Sequence, residues 1–223
     1  MRSRRRGHDE TSRAQIAPRS DHKPRRTPAT GTVPGVRLFF AGDEMSRGER
    51  WVVIDVETTG FSPGRDRIIE IGAVAGVGGA VTGEFHTLID PQRPIPYGAR
   101  RVHGISDAMV RGQPVAEAVL PRFHAFVGSA VLVCHNADFD LRFLRHELGR
   151  CGLDLPNSHQ CTLRLCRACL PHLPNHRLET VARHLLADLS EVRLHRALDD
   201  ARLTAKVWLA IARSEQSRKG TNR

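Results

Sequence analysis

The chain has 223 residues, with 34 Lys and Arg against 24 Asp and Glu and a formal charge of +10. That length suits one domain of ordinary size plus a tail, with a core large enough to need no staples. No stretch has the apolar length of a membrane span, and no apolar block follows the early arginines, which argues against a membrane protein and against a secretory leader.

Residues 1–48 read as a basic arm. The first fifty residues carry 12 Lys and Arg and 6 Asp and Glu, a net +6, and the rest carry 22 and 18, a net +4. Scattered prolines and arginine runs without apolar periodicity offer too little hydrophobic surface to offset chain entropy, so the arm is expected to be disordered. Its arginines add phosphate affinity that should weaken steeply with salt. Asp9, Glu10 and Asp21 argue against an organellar leader, and the apolar RLFFAG at 37–42 is too short to anchor anything.

The folded domain is expected over 49–214, with a flexible tail at 215–223. WVVIDVETTG at 51–60 reads as a buried strand, TTGFSPGRDR as a turn-rich break, and 68–77 and 80–90, joined by Gly78-Gly79, as a hairpin completing a meander. Residues 91–109, rich in Pro and Gly, read as a long flexible rim. Helical patterns follow at 114–127, 137–149, 163–170, 178–186 and 197–212, with a buried strand at 130–134. A meander followed by alternating helix and strand predicts an α/β fold, a mixed sheet flanked by helices.

The five cysteines are Cys134, Cys151, Cys161, Cys166 and Cys169. An odd number without an export signal points to reduced thiols and a cytoplasmic setting. Cys166-x-x-Cys169, with Cys161 before it and His172 after, has the letters of a zinc site. The segment also reads as a helix whose small apolar faces take cysteine, and buried thiols are the expectation.

Four carboxylates stand where apolar residues belong. Strand alternation puts Val53, Asp55 and Glu57 on one face and Val52, Ile54 and Val56 on the other. In 137–149, Asp138 lies on the charged side, whereas Asp140, roughly 200° away on a helical wheel, falls in the apolar arc. Glu147 shares that direction; Asp140 is preferred because its first-turn place adjoins the end of the 130–134 strand. In the last helix Asp199 aligns with charged residues, where the helix dipole accounts for it, and Asp200 aligns with Leu203, Val207 and Ile211. Uncompensated anions aimed at one place would raise each other's pKa values and cost several kcal/mol. Hard oxygen ligands without Cys suit Mg²⁺ or Mn²⁺, so the missing positive charge is expected to be metal.

DVETTG, HNADFDLRFL and HRALDDA, in this order, resemble the three exonuclease motifs of the DEDDh superfamily, typified by the epsilon proofreading subunit of bacterial DNA polymerase III. VHGIS at 102–106 resembles the family's loop between the first two motifs. The resemblance covers 51 to about 212 and implies a ribonuclease H-like fold. It also implies Asp55, Glu57, Asp140 and Asp200 as ligands of two metal ions, Glu57 bridging them, and His195 as general base. Cys161 departs from the family wording, where Asp often precedes Thr-Leu, at a position that is not a metal ligand.

Two metals can lower the pKa of a water and clamp a phosphodiester displacement from both sides, while a neutral imidazole takes the water's proton. On an ideal helix His195 and Asp200 would stand about 140° apart, so His195 belongs in the loop before the helix. Thr58, Thr59, His103, Ile105 and Asn136 are candidate substrate contacts; turn chemistry and loop packing are their plainer roles. The leading expectation is a 3′→5′ exonuclease acting on the 3′ end of DNA and releasing nucleoside 5′-monophosphates, with a polymerase or repair partner. An RNA-trimming member of the superfamily and a catalytically silent nucleic-acid-binding module are the rivals. An aspartyl-phosphate phosphatase could also begin from a strand-borne acid pair, but it would need neither His195 nor an inward Asp140.

Overall fold

A computed structural model of the chain describes residues 48–186 and 195–220, with 215–220 described by backbone alone. The basic arm and the 37–42 segment lie outside the described residues. Strands β1 (Arg50–Thr58), β2 (Ile68–Val77) and β3 (Ala80–Leu88) form the expected antiparallel meander, and β4 (Val131–Cys134) and β5 (His159–Cys161) run parallel to β1. The sheet order is β3-β2-β1-β4-β5. Among the described residues, seven helices accompany these strands: α1 (Tyr97–His103), α2 (Asp107–Val110), α3 (Ala116–Val127), α4 (Ala137–Arg150), α5 (Thr162–Cys169), α6 (Leu178–Leu185) and α7 (Ala197–Gly220).

The alternation of β1 divides the core in two. Val52, Ile54 and Val56 face α3 and α4, packing with Leu120, Phe123 and Phe143. Trp51 and Val53 face the other way, onto Val181 of α6 and Leu203 and Val207 of α7. Cys134 and Cys161 belong to the first of these cores and Cys166 to the second, so all three serve as small apolar side chains.

The structure departs from the sequence reading in three places. The 91–109 segment is packed structure and not a loose rim: it forms α1 and α2, and Ile95, Ile105 and Val110 bury against Ile69 in a small core of their own. An amide from Ile95 to Asp107 Oδ1 at 2.9 Å ties its ends together. Strand β5 has only three residues, too few for an alternation to be read. Helix α7 continues through 215–220, where the sequence suggested a tail. Among the described residues no helix is long and apolar enough to cross a membrane.

Candidate active site

The sheet changes character at β1, which has antiparallel β2 on one side and parallel β4 on the other. Of β1, only Trp51, Val52 and Val53 pair with β4, so the carboxyl half of β1 has an open edge on that side. Crevices of this kind, beyond the carboxyl ends of parallel strands, are where open α/β sheets bind ligands. Asp55 and Glu57 lie in that half, on the α7 face.

Helix α7 completes the group from above. One carboxylate oxygen from each of Asp55, Glu57 and Asp200 lies within 4.8 Å of the other two. Asp140 arrives from the opposite side of the sheet, on the first turn of α4. It is 3% exposed, and its Oδ1 accepts the Val56 N–H at 3.2 Å, a donor that β4 leaves free. It lies outside the trio, and after burial its charge is the foremost influence raising Asp55. Asp138, by contrast, is exposed and pairs with Arg164 at 2.5 Å. Glu147, the rival to Asp140, is bound to Arg67 through both oxygens, at 2.7 and 3.1 Å. It is a buried ion pair and takes no part in the cluster.

The start of α7 is fixed by β2. His195 lies in the bend before the helix, exposed, with a left-handed φ of +67°. Its N–H donates to Asp200 Oδ2 at 2.9 Å, so the residue expected as base and the residue expected as ligand are tied through backbone. The next residue, Arg196, donates through Nε and Nη2 to Glu70, with Nη2 at 2.6 Å from Oε1, and Ala197 N–H reaches Glu70 Oε2 at 3.1 Å. Two residues along β2, Gly72 lies so near the helix that an added Cβ would stand 2.2 Å from Leu198 N and Ala197 C. Glu70 is opposite Glu57 in register and Gly72 opposite Asp55. Sequence reasoning missed Glu70, although an acid inside the apolar IIEIGAV gives the signal that singled out Asp55.

Burial and crowding raise all four expected ligands. Asp55 is held well above the usual carboxylate range by burial first and then by Asp140, Glu57 and Asp200. Burial, followed by Asp200 and Glu70, pushes Glu57 up to about 8. Burial pushes Asp140 to about 7 against the Val56 hydrogen bond, and Asp200 to about 6 against the bond from His195 N–H. Asp200 Oδ1 is buried and has no hydrogen-bond partner. An orphaned oxygen beside crowded acids fits a divalent cation held by hard oxygen ligands.

The remaining sequence candidates separate. The Thr58 hydroxyl donates to Gly60 O at 2.6 Å, and the Thr59 hydroxyl accepts Arg67 N–H at 3.0 Å, so both hold the turn. His103 Nδ1 accepts Ile105 N–H at 3.0 Å, which leaves Nε2 as the protonated nitrogen, buried near the backbone of Thr58. Burial lowers the pKa of this ring. Ile105 is fully buried and packs in the small core, a correction to its reading as a substrate contact: no surface of it is left to touch a ligand. Asn136 is exposed at φ +94° ahead of α4. Phe61, unremarked in the sequence, is 82% exposed on the loop after Glu57 and stands edge-on to Phe139. Behind that loop a cleft of about 360 Å³ is lined by Arg65, Arg67, Arg93 and Arg150.

Comparison with known proteins places the chain in a family. Residues 52–208 match a family described as exonuclease. A PolC-type DNA polymerase III of Clostridium perfringens is 43% identical over 173 residues, which cover 78% of this chain and 12% of the polymerase. The DNA polymerase III subunit epsilon of Aquifex aeolicus is 38% identical over 162 residues, 72% of this chain and 79% of that subunit. The solved structure of exonuclease X in complex with 5′ overhanging duplex DNA superposes with a TM-score of 0.59 at 30% identity, covering 74% of this chain and 92% of the other. The shared fold is the ribonuclease H-like mixed sheet, and the chain belongs to this exonuclease family, within the DEDDh superfamily.

Proposed function

We propose that the chain is a metal-dependent 3′→5′ exonuclease that releases nucleoside 5′-monophosphates from the 3′ end of single-stranded DNA. The observation that carries this is the meeting of Asp55, Glu57 and Asp200 oxygens within 4.8 Å at the open edge of β1. Those three would hold Mg²⁺ or Mn²⁺, with Asp140 completing the acidic wall. Two such ions supply an activated water and neutralise the phosphate at the scissile bond. His195, exposed at the mouth, takes the proton from the attacking water at a ring nitrogen.

Substrate is held by other groups. The Nε2–H of His103 and the exposed Asn136 are donors for the terminal nucleotide, and the Thr58–Thr59 turn shapes the wall beside it. Phe61 offers a stacking face, and the arginine-lined cleft attracts phosphates. The likeness to epsilon subunits supports proofreading or repair as the setting, beside a polymerase or repair partner in the cytoplasm.

The test is end-labelled single-stranded DNA and RNA of equal length, incubated with Mg²⁺ or Mn²⁺. Wild type is expected to give a descending ladder on DNA, and Asp55→Asn none. A ladder on RNA alone would move the assignment to an exoribonuclease, and an inert wild type with every metal would leave a binding module.

A further inference from the structure

Glu70 lies outside the carboxylate cluster and is 0% exposed. Both its oxygens receive the Arg196 guanidinium, His86 Nε2 sits 2.7 Å from Oε1, and the Ala197 amide donates to Oε2. Arg196 and Ala197 directly follow His195, and His195 in turn gives its N–H to Asp200. Gly72 adds a steric stop, because the backbone of Ala197 and Leu198 rests where its side chain would be. One short length of β2 thus grips the segment that carries both His195 and Asp200, while its cross-strand partners are Asp55 and Glu57.

We propose that Glu70 is a positioning residue: through Arg196 and the Ala197 amide it sets His195 and Asp200 against the Asp55/Glu57 strand, and so governs the chemical step without touching substrate. This rests on the exonuclease reading above. The physical reason is tolerance: misplacing a catalytic group by about 1 Å can cost about 100-fold in rate. A bidentate, charge-assisted pair fixes direction as well as distance, which one point charge does not.

The test uses the full chain with Glu70→Gln, Arg196→Gln and the double variant. Nucleotide release from a single-stranded oligonucleotide is measured with Mn²⁺, alongside Mn²⁺ affinity and amide exchange over 195–200. Each single change is expected to lower kcat by about 10-fold or more, with KM within about twofold and faster exchange at His195 and Ala197. The double variant should be no slower than the worse single one, because both act through one contact. A field effect on the metal site predicts something else: the two changes remove charges of opposite sign beside Glu57, so their effects on Mn²⁺ affinity and rate would run in opposite directions. That outcome overturns the proposal, as does unchanged kcat per folded molecule in both variants. Should Glu70→Gln not fold, Arg196→Gln carries the same comparison, since its side chain is 35% exposed. If wild type releases no nucleotide, the exonuclease reading fails separately; the clamp is then upheld or overturned by whether exchange at Ala197 and His195 rises.

Discussion

Glu57 and Glu70 face each other across β1 and β2 in register, and the fold holds them in opposite states. Burial, Asp200 and Glu70 push Glu57 up to about 8. Glu70 is also pushed up by burial, but hydrogen bonds from Arg196, His86 and the Ala197 amide outweigh this and keep it below the usual range. One acid has its cation built in, and the other is left to acquire one.

Divalent metal should therefore stabilise the chain. At about 100 times its dissociation constant, Mn²⁺ is worth about 2.7 kcal/mol, which in a domain of this size raises Tm by about 5–10 °C. Differential scanning fluorimetry with EDTA and with Mn²⁺ is expected to show this shift in wild type and its loss in Asp200→Asn. An equal shift in the variant would remove Asp200 from the ligand set.

Stability of the metal-free protein should depend on pH with an unusual sign. A carboxyl raised in the folded state binds its proton more tightly there, so unfolding releases protons and stability falls as pH rises. For the cluster the fall runs from the unfolded value, about 4, up through the values near 6, 7 and 8 of Asp200, Asp140 and Glu57. Glu70 acts the other way, its contribution present above about 4.3 and lost as pH falls through its depressed value. Thermal melts in EDTA should thus show Tm dropping by several degrees between pH 5 and 8, a slope that saturating Mn²⁺ removes.

Asp140 and Glu147, on the same face of α4 and two turns apart, should behave as opposites. Asp140→Asn removes an uncompensated buried charge, so it is expected to raise the metal-free Tm while cutting activity by about 10–100-fold or more. Glu147→Ala strands Arg67, which is 14% exposed, and is expected to cost about 3 kcal/mol by urea denaturation with unchanged activity per folded molecule. The reverse pattern would exchange their roles.

Gly72→Ala should be costly although it adds one methyl group. The neighbour of the new Cβ is backbone at 2.2 Å, which cannot rotate away as a flexible side chain could. About 3 kcal/mol is expected from denaturant midpoints, together with a fall in activity. An unperturbed variant would show that α7 is not seated by this contact.

The four inward acids were legible because each breaks an apolar periodicity, a local property of the sequence. Glu70 breaks one too, but its meaning depends on Arg196, 126 residues away, and no local pattern carries that pairing. The Thr58 and Thr59 hydroxyls were legible as turn chemistry, and that is where the structure uses them. Ile105 was misread because a Pro- and Gly-rich stretch looks open, while Ile95, Ile105 and Val110 together fill a satellite core. Strand β5 escaped notice because three residues bonded to β4 gain their conformation from the neighbour and not from their own pattern.

The left-handed backbone of His195 bears on how its imidazole should be tested. Alanine at this place would surrender the ring while keeping the Cβ that already bears the steric cost of that conformation. Asparagine favours that conformation and glycine relieves its cost, so His195→Asn, which keeps the chain path, and His195→Gly, which loosens it, separate lost proton transfer from a disturbed backbone.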